Sequence, residues 1–277
     1  MGRDLKELKI TANTIRQEVV KMIYEAQSGH PGGSLSAVEI LTALYFEIMN
    51  YDVENPNWSG RDRFILSKGH AAPVLYATLA EAGFLDKGHL KTLRKLGSPL
   101  QGHPDKRVLP ILETSTGSLG QGISTGIGLS LAARLDGADY HTYVVIGDGE
   151  SNEGQIWEAA MYAGHHHLDN LTVILDLNGF QLDDANSVIL DLNPIKDKWA
   201  ACNWHVIDID GHDMAAVVDA LKEARTTKGK PSVIIAHTVK GKGVSFMENN
   251  NKFHGVAPTA AELETALQEL ANAREQI

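Results

Sequence analysis

The residues with the clearest chemical potential form an acidic, glycine-rich turn near the middle of the sequence. An apolar run, His141–Ile146, leads directly into Gly147-Asp148-Gly149-Glu150, and Glu153 follows shortly after. Glycine-rich turns between a strand and a helix commonly bind phosphate, but this spacing matches neither the dinucleotide fingerprint nor the P-loop. Because the carboxylates would repel a bare diphosphate, a cation must lie between them and any bound phosphate. The turn therefore predicts a cation-assisted phosphate site.

A second set of oxygen donors follows the next apolar run along the chain. Leu171–Leu175 ends in Asp176-Leu177-Asn178-Gly179-Phe180, and Asn178 stands 30 positions after Asp148. That spacing corresponds to one strand–helix–strand unit, so both side chains would lie at the same edge of a parallel sheet. A carboxylate, an amide oxygen and a loop carbonyl suit Mg²⁺ or, with longer bonds, Ca²⁺. The alternative is an acidic turn that only caps a helix.

The elements that must position these residues alternate between strands and helices. Apolar runs predict strands at 63–67, 143–146, 171–175, 204–209 and 232–236. Helical spacing predicts helices at about 4–27, 36–49, 71–82, 87–95, 115–135, 154–167, 194–202, 213–226 and 259–275. Strands joined by helical crossovers form a parallel sheet with helices on both faces. The predicted fold class is therefore α/β, with a single domain over 1–277, its core at about 10–257 and a C-terminal helix at about 259–275.

The predicted helix at 115–135 is unusual in its glycine content. Gly120, Gly122, Gly126 and Gly128 all fall within it. Each glycine inside a helix costs about 1 kcal/mol relative to alanine, so four of them need a reason. The sequence therefore predicts that other chain segments pack closely against the backbone of this helix.

Composition restricts the function classes. The chain has 277 residues, is 43% hydrophobic and carries a formal net charge of −10. An ordinary charge density excludes a disordered or fibrous protein, and the lack of a basic stripe argues against nucleic-acid binding. The lone Cys202 suits a reducing compartment, no apolar run is long enough for a membrane span, and Met1–Asp4 has no signal core. These features predict a cytoplasmic protein that binds neither nucleic acid nor membranes.

Six further motifs accompany the two turns in a fixed order. The turn Gly147-Asp148-Gly149 with Asn178 resembles the thiamine diphosphate fingerprint, and the wider pattern resembles the transketolases. The matching segments are Ser28–Gly32, Asp62–Ala71, Gly102–Pro104, Thr116–Gly122, Glu150–Glu158 and Phe253–Gly255. They extend from about residue 28 to residue 255, so the resemblance covers nearly the whole chain. It implies a parallel-sheet thiamine diphosphate-binding fold of the diphosphate-binding type.

The resemblance also implies a metal centre and a set of cofactor contacts. Asp148, Asn178 and the backbone carbonyl of Phe180 correspond to the metal ligands. The implied cofactor-binding residues are His70, Gly117, Ser118, Leu119, Gly149, Glu153, Asn178 and His254. In that set, the loop at 117–119 would lie against the cofactor rings, the Gly149 N–H and the two histidines would contact the diphosphate, and Glu153 would link cofactor sites across a subunit interface.

A cluster of catalytic histidines facing the sugar hydroxyls is implied as well, and its members are His30, His70, His103 and His254. Histidine suits this task because its ordinary pKa allows proton exchange near neutral pH. The basic turn at 240–243 is expected to carry His254 toward the site, with an anion-binding loop as the alternative. A solvated helix end is expected at 165–167, with a metal site as the alternative. The histidines expected to be structural are His89, His141, His205, His212 and His237.

The resemblance finally implies a partner chain. In the transketolases, a second α/β domain supplies the glutamate that protonates the aminopyrimidine ring and most of the contacts to the substrate phosphate. Here one predicted helix follows His254, and no earlier segment duplicates the α/β unit. We therefore expect the amino-terminal subunit of a split transketolase, a transferase that moves a two-carbon ketol unit from a ketose phosphate to an aldose phosphate. Its partner would be a C-terminal subunit with the pyrimidine-binding domain, in a 2+2 heterotetramer.

Two alternatives remain open. The chain could be the corresponding subunit of a related thiamine-dependent ketolase or synthase, because the histidine cluster favours sugar phosphates without choosing among them. It could also be a non-catalytic cofactor-binding module, although such a module would not need the metal ligands and four site histidines together. Substitution of Asp148 in the reconstituted complex distinguishes a catalytic subunit from a non-catalytic module, because unchanged cofactor binding and turnover would favour the module.

Overall fold

The computed structural model describes residues 4–277, and its centre is a five-stranded sheet. The strands are β1 (Arg63–Leu66), β2 (Thr142–Gly147), β3 (Leu171–Leu177), β4 (His205–Asp210) and β5 (Ser232–His237). They lie in the order β1-β2-β3-β5-β4, and every neighbouring pair is parallel. The predicted α/β class with its parallel sheet is confirmed. The carboxyl ends of all five strands consequently meet at one edge.

Helices connect the strands and cover the sheet. They are α1 (Leu5–Ala26), α2 (Pro31–Ser36), α3 (Val38–Ala43), α4 (Ala72–Glu81), α5 (Gln121–Asp136), α6 (Gly154–His165), α7 (Asn186–Ile189), α8 (Ile195–Ala201), α9 (Met214–Thr226) and α10 (Ala260–Glu275). Polar side chains fix several ends: the Asp4 carboxylate accepts a hydrogen bond from the Glu7 N–H at 2.7 Å, and Thr259 with Glu262 forms a capping box before α10.

The sequence predicts neither a signal core at the start of the chain nor a membrane-spanning segment. Residues 1–3, on which the expected lack of a signal core partly rests, lie outside the described residues. Over residues 4–277, no helix combines the length and the apolar character that a membrane crossing requires.

Two apolar clusters cover the two faces of the sheet. In β2, Tyr143 and Val145 pack in the cluster that contains α1, α3, α4 and α9, whereas Val144 and Ile146 pack in the cluster that contains α5, α6 and α8. This alternation is the two-residue period of a strand. Because both faces are covered, every residue of β2 is buried, which explains why its sequence is apolar without a break from Tyr143 to Ile146.

One predicted helix is broken into pieces. The segment 36–49 divides into the end of α2, then α3, then a π-helical turn at Leu44–Ile48. Helix α2 also begins earlier than predicted, at Pro31, where a proline favours the first helical turn. The sequence pattern did not predict this earlier start, because Gly32 and Gly33 follow Pro31 and glycine disfavours helix interiors.

Two other predicted helices differ in extent, and one helix was not expected. Residues 87–95 form only a short 3-10 helix at Lys87–Thr92, and the predicted helix at 115–135 is a loop until α5 begins at Gln121. The short α7 was not predicted. The remaining helices agree with prediction within one or two residues at most ends, which is the usual uncertainty of helix boundaries.

Two glycines of α5 lie at close range to other segments, one to strand β2 and one to the residue that follows β1. A side chain at Gly126 would bring its Cβ to 2.6 Å from Val144 Cγ2, and one at Gly122 would lie 2.3 Å from Ser67 Oγ. Close packing is therefore confirmed at these positions. At Gly128 the expectation is wrong, because no atom lies within 4 Å of an added Cβ.

This difference between two glycines of one helix gives a test of the packing. We expect Gly126→Ala to lower the free energy of unfolding by about 1–2 kcal/mol, because the methyl group overlaps the stiff, buried Val144 side chain. We expect Gly128→Ala to raise it by about 0.5–1 kcal/mol, because alanine is the better helix former and has open space there. Urea unfolding followed by circular dichroism measures both values, and equal effects would contradict the close contact at Gly126.

Candidate active site

A cavity of about 390 Å³ lies at the carboxyl edge of the sheet. Its walls come from the loops that follow β1, β2, β3 and β5, with contributions from the start of α2 and the loop before α5. Open parallel sheets bind ligands at this edge, and the volume suits a small molecule. The lining residues are His30, Gly33, Lys68, His70, His103, Gly117, Leu119, Gly147, Asp148, Gly149, Glu150, Asn178, Phe180, Gln181, Leu182, Lys240 and His254.

The Asp148 carboxylate is held in one orientation at the end of β2. Its Oδ1 accepts a hydrogen bond from the Asn178 N–H at 2.9 Å, and its Oδ2 accepts from the Gly179 N–H at 2.8 Å and from Asn186 Nδ2 at 2.5 Å. Asn178 Oδ1 in turn accepts from the Phe180 N–H at 3.2 Å. Burial raises the pKa of Asp148 to about 6, although its hydrogen bonds oppose the rise. The two predicted oxygen donors therefore meet in one cavity.

A buried ion pair lies beside these donors. Lys68 Nζ is 2.5 Å from Asp176 Oδ2 and donates a second hydrogen bond to the Gly33 carbonyl at 2.9 Å. The Asp176 carboxylate also accepts from Ser36 Oγ at 2.6 Å and from Thr238 Oγ1. Both charged residues are at most 1% exposed, and removal of either would leave a buried charge without its partner. The sequence analysis assigned no role to either residue, although Lys68 falls within the matching segment Asp62–Ala71 and Asp176 directly follows the predicted strand 171–175.

Lys240 contributes a second buried ammonium group to the cavity wall. Its Nζ lies 3.1 Å from the Gln181 carbonyl oxygen, 2.5 Å from Asn251 Oδ1 and 2.9 Å from His254 Nδ1. Burial, followed by the Lys68 charge, lowers the pKa of Lys240 to about 8, so the ammonium form prevails at pH 7. The contact with His254 agrees with the expectation that this turn carries the histidine to the site. Its burial inside the site was not expected.

The four histidines of the predicted cluster come together around His30. The centroid of its ring lies 5.3 Å from that of His70, 6.3 Å from that of His103 and 5.4 Å from that of His254. His70 and His254 stack on each other at 5.4 Å. Four separate segments of the chain supply these rings, and all four line the cavity. The cluster is therefore present, while its catalytic role stays a prediction.

The protein holds these imidazoles in the neutral state. Burial lowers the pKa of His30 to about 4, with Arg94 adding to the effect, and lowers that of His254 to about 3, with Lys240 adding to it. Burial also lowers the pKa of His70 well below its ordinary value. A neutral imidazole donates one hydrogen bond and accepts another. The cluster can therefore bind hydroxyl groups, which have the same two capacities.

The predicted cofactor loop at 117–119 reaches the cavity in part. Gly117 and Leu119 line it, whereas Ser118 does not. Gly117 has a φ of +130°, and an added Cβ would lie 2.9 Å from Cδ2 of His103. The loop thus needs glycine at this position, both for its backbone angle and for its approach to the histidine.

The two glutamates of the glycine turn have different surroundings. Glu150 is buried in the cavity wall, where its carboxylate accepts hydrogen bonds from the Gly120 N–H at 2.9 Å and from Ser67 Oγ, and burial raises its pKa. Glu153, which was predicted to contact the cofactor, is exposed and outside the cavity lining. Its surface position leaves it available to another chain, so its role across an interface stays a prediction.

The remaining histidines lie outside the cavity lining. His89 is exposed on the 3-10 helix, and 165–167 form the end of α6 and the turn after it. Over residues 4–277, no cluster of three or more His, Cys, Asp or Glu side chains is arranged to hold a metal ion. The other four are paired, namely His141 with Thr172 at 2.8 Å, His205 with Glu223 at 2.7 Å, His212 with Glu39 at 3.0 Å and His237 with Asp208 at 3.0 Å.

Several curated proteins of similar length resemble this chain. An apulose-4-phosphate transketolase subunit of Phocaeicola vulgatus is 41% identical over 273 residues, which are 99% of this chain and 97% of the relative. The 6-deoxy-6-sulfo-D-fructose transketolase subunit SqwG of a Clostridium species is 45% identical over 270 residues, which are 98% of each protein.

A solved structure and a family model indicate the same family as these relatives. The transketolase of Leishmania mexicana superposes with a TM-score of 0.90 at 34% identity, and the match covers 98% of this chain and 42% of that one. This chain thus spans about two fifths of the length of the solved transketolase. The family model described as transketolase, thiamine diphosphate binding domain, matches residues 8–276. The chain therefore belongs to the transketolase thiamine diphosphate-binding domain family.

Proposed function

We propose that this chain is the diphosphate-binding subunit of a two-subunit transketolase. Together with its partner, it transfers a two-carbon ketol unit from a ketose phosphate to an aldose phosphate. The observation that carries the proposal is one cavity in which the oxygen donors at the ends of β2 and β3 face four histidines. The two relatives named as transketolase subunits, matched along 97% and 98% of their lengths, support the two-chain form. We assign the enzyme to the cytoplasm, because its one cysteine suits a reducing compartment.

The ends of β2 and β3 fit a divalent cation that holds a diphosphate. The Asp148 carboxylate, the Asn178 amide oxygen and the Phe180 carbonyl are hard oxygen donors, which Mg²⁺ prefers and Ca²⁺ also accepts. Burial raises the pKa of Asp148 to about 6 in the protein alone. A cation beside Asp148 stabilises the ionised carboxylate. We therefore assign these three residues as the metal ligands, with Mg²⁺ as the first choice.

The same cavity suits the rest of thiamine diphosphate. The Gly149 N–H, His70 and His254 are the proposed contacts to the diphosphate, and Gly117 with Leu119 lies against the cofactor rings. When bound, the cofactor supplies the nucleophilic carbon and the electron sink for ketol transfer. The task of this chain is to bind the diphosphate end and to orient the rings.

The proposed role of the histidines is to hold the sugar and to exchange protons at its hydroxyl oxygens. His30 and His103 extend the cluster beyond the diphosphate contacts. Because burial keeps His30 neutral, it can accept a proton from a hydroxyl group or donate a hydrogen bond to it. Neutral imidazoles also bind a polyol without adding a buried charge.

An exposed apolar segment beside the cavity supports a partner subunit. Leu182 lines the cavity and is 64% exposed, and Val188, Ile189 and Leu190 follow it with exposures of 66%, 46% and 58%. Neighbouring apolar side chains that remain in water are typical of an interaction surface. The proposed occupant is a C-terminal subunit that carries the pyrimidine-binding domain. In the proposed 2+2 heterotetramer, the exposed Glu153 faces another subunit.

Two kinds of donor sugar are candidate substrates. The first is a common ketose phosphate of the pentose phosphate pathway. The second is a less common sugar, because the two subunit relatives are named for apulose-4-phosphate and for 6-deoxy-6-sulfo-D-fructose. All of these molecules present hydroxyl groups that the histidine cluster can bind, so a direct comparison of donors is required.

Reconstitution tests the two-subunit proposal. We expect the purified chain alone to give no ketol transfer with thiamine diphosphate and Mg²⁺, and to give turnover once the chain that co-purifies with it from native cells is added. Mass spectrometry of the products would compare xylulose 5-phosphate, fructose 6-phosphate, apulose 4-phosphate and 6-deoxy-6-sulfo-D-fructose as donors. Full activity of the isolated chain would contradict the proposal, and turnover of only one of the last two donors would select the second candidate substrate.

Substitution of Asp148 tests the metal site. In the reconstituted complex, we expect Asp148→Asn to lower kcat/KM and Mg²⁺-dependent cofactor affinity at least about a hundredfold, because loss of a group that only supports a metal ligand already costs ten- to hundredfold. Isothermal titration calorimetry measures the affinity, and a thermal melt checks that the variant is folded.

Asp219→Asn is the matched control, since this carboxylate is exposed on α9, outside the cavity lining, and should leave both quantities unchanged. If Asp148→Asn bound cofactor and turned over like the parent protein, the metal assignment would be wrong and a non-catalytic module would be favoured.

A further inference from the structure

The Lys240 ammonium group has an acceptor for each of its three hydrogen atoms. It is 1% exposed, and its three neighbours are the Gln181 carbonyl oxygen, Asn251 Oδ1 and His254 Nδ1 at 3.1, 2.5 and 2.9 Å. An ammonium group has three N–H donors and no acceptor. All three contacts must therefore run from Lys240 outward, and His254 Nδ1 must accept.

This contact determines where the proton of His254 lies. A neutral imidazole carries one N–H, and the nitrogen that accepts a hydrogen bond is the one without the proton. Because Nδ1 accepts from Lys240, the proton lies on Nε2. Within residues 4–277 no hydrogen bond engages Nε2, and His254 lines the cavity. The Nε2–H group is thus left for a ligand.

The backbone around Lys240 keeps the ammonium group in this position. The Gly241 N–H donates to the Gly32 carbonyl at 3.0 Å, and the Lys240 carbonyl accepts from the Asn249 N–H at 2.9 Å. Gly241 has a φ of +81°, a conformation that favours glycine. The turn is therefore tied to α2 on one side and to the segment that leads to His254 on the other.

We infer that Lys240 is a positioning residue that fixes His254 as the Nε2–H tautomer, so that His254 presents a hydrogen-bond donor to a phosphate or sugar oxygen in the cavity. The class of ligand rests on the proposed function, whereas the tautomer rests only on the contacts of Lys240. With the opposite tautomer, Nε2 would be an acceptor, and its lone pair would face the lone pairs of a phosphate oxygen.

The same turn contains a matched control residue. Lys242 follows Lys240 by two positions, but its side chain is 37% exposed and its ammonium group lies 3.5 Å from the Glu248 carboxylate. It carries the same charge in the same turn without contact to His254. Lys242→Met should therefore leave His254 as it is in the parent protein.

Nitrogen NMR of the full chain tests the tautomer directly. In protein labelled with ¹⁵N-histidine at pH 7, long-range proton–nitrogen correlations identify which ring nitrogen carries the proton, and His254→Gln assigns the signals. We expect the Nε2–H pattern in the parent protein and in Lys242→Met, and a mixed pattern in Lys240→Met. A proton on Nδ1 in the parent protein would overturn the inference, even if Lys240→Met did not fold. An unchanged pattern in folded Lys240→Met would overturn it too.

Kinetics of the reconstituted enzyme tests the consequence. We expect Lys240→Met to lower kcat about ten- to hundredfold, the usual effect of losing a group that orients a functional histidine. Lys240→Gln retains an N–H donor without the charge, so it should keep the Nε2–H pattern and recover part of kcat. If Lys240→Met and Lys240→Gln lost kcat equally, and the His254 tautomer were unchanged in both, the positioning role would be contradicted. If the parent complex lacks ketol transfer, the proposed function fails while the NMR result still decides the tautomer.

Discussion

Burial of charge at the carboxyl edge of the sheet is the constraint on which the cavity depends. Lys68, Asp148, Glu150, Asp176 and Lys240 are each at most 2% exposed. A buried charge without partners costs several kcal/mol, so every one of these groups must be paired or hydrogen-bonded. The charged groups and their partners lie at or just after the ends of β1, β2, β3 and β5, with further partners in α2 and in the loop before α5. Satisfying the charges therefore fixes those loops relative to one another, and the cavity takes its shape from them.

After these groups are paired, the site retains an excess of negative charge, which explains the acidic turn. Three carboxylates share the site with two ammonium groups, and burial keeps the neighbouring histidines neutral. Burial, with a contribution from Asp176, accordingly raises the pKa of Asp148 to about 6. A divalent cation reverses the sign of the local charge, and a diphosphate can then bind beside it. Carboxylates that would repel a phosphate alone thus become the means of holding one.

Sequence reasoning recovered the parts of this arrangement that local patterns encode. The apolar runs located the strands because both faces of the sheet are covered, and the strand–helix–strand spacing brought Asp148 and Asn178 together. The pattern could not reveal Lys68, because a lysine in a loop is ordinarily exposed. Its burial becomes necessary only when the register of the sheet sets Asp176 between Gly147 and Ala236, inside the core. The histidine cluster depended on resemblance, since its members are far apart in sequence.

Lys240 illustrates why such residues need the folded structure for their interpretation. Its charge helps to offset the carboxylates of the site, and its geometry directs the proton of His254 toward the cavity. A neutral donor could serve the second task but would increase the charge imbalance, whereas an exposed lysine could serve neither. The turn that carries Lys240 is hydrogen-bonded to Gly32 in α2, and α2 begins immediately after His30. One backbone contact therefore connects the charge balance, the orientation of His254 and the start of the histidine cluster.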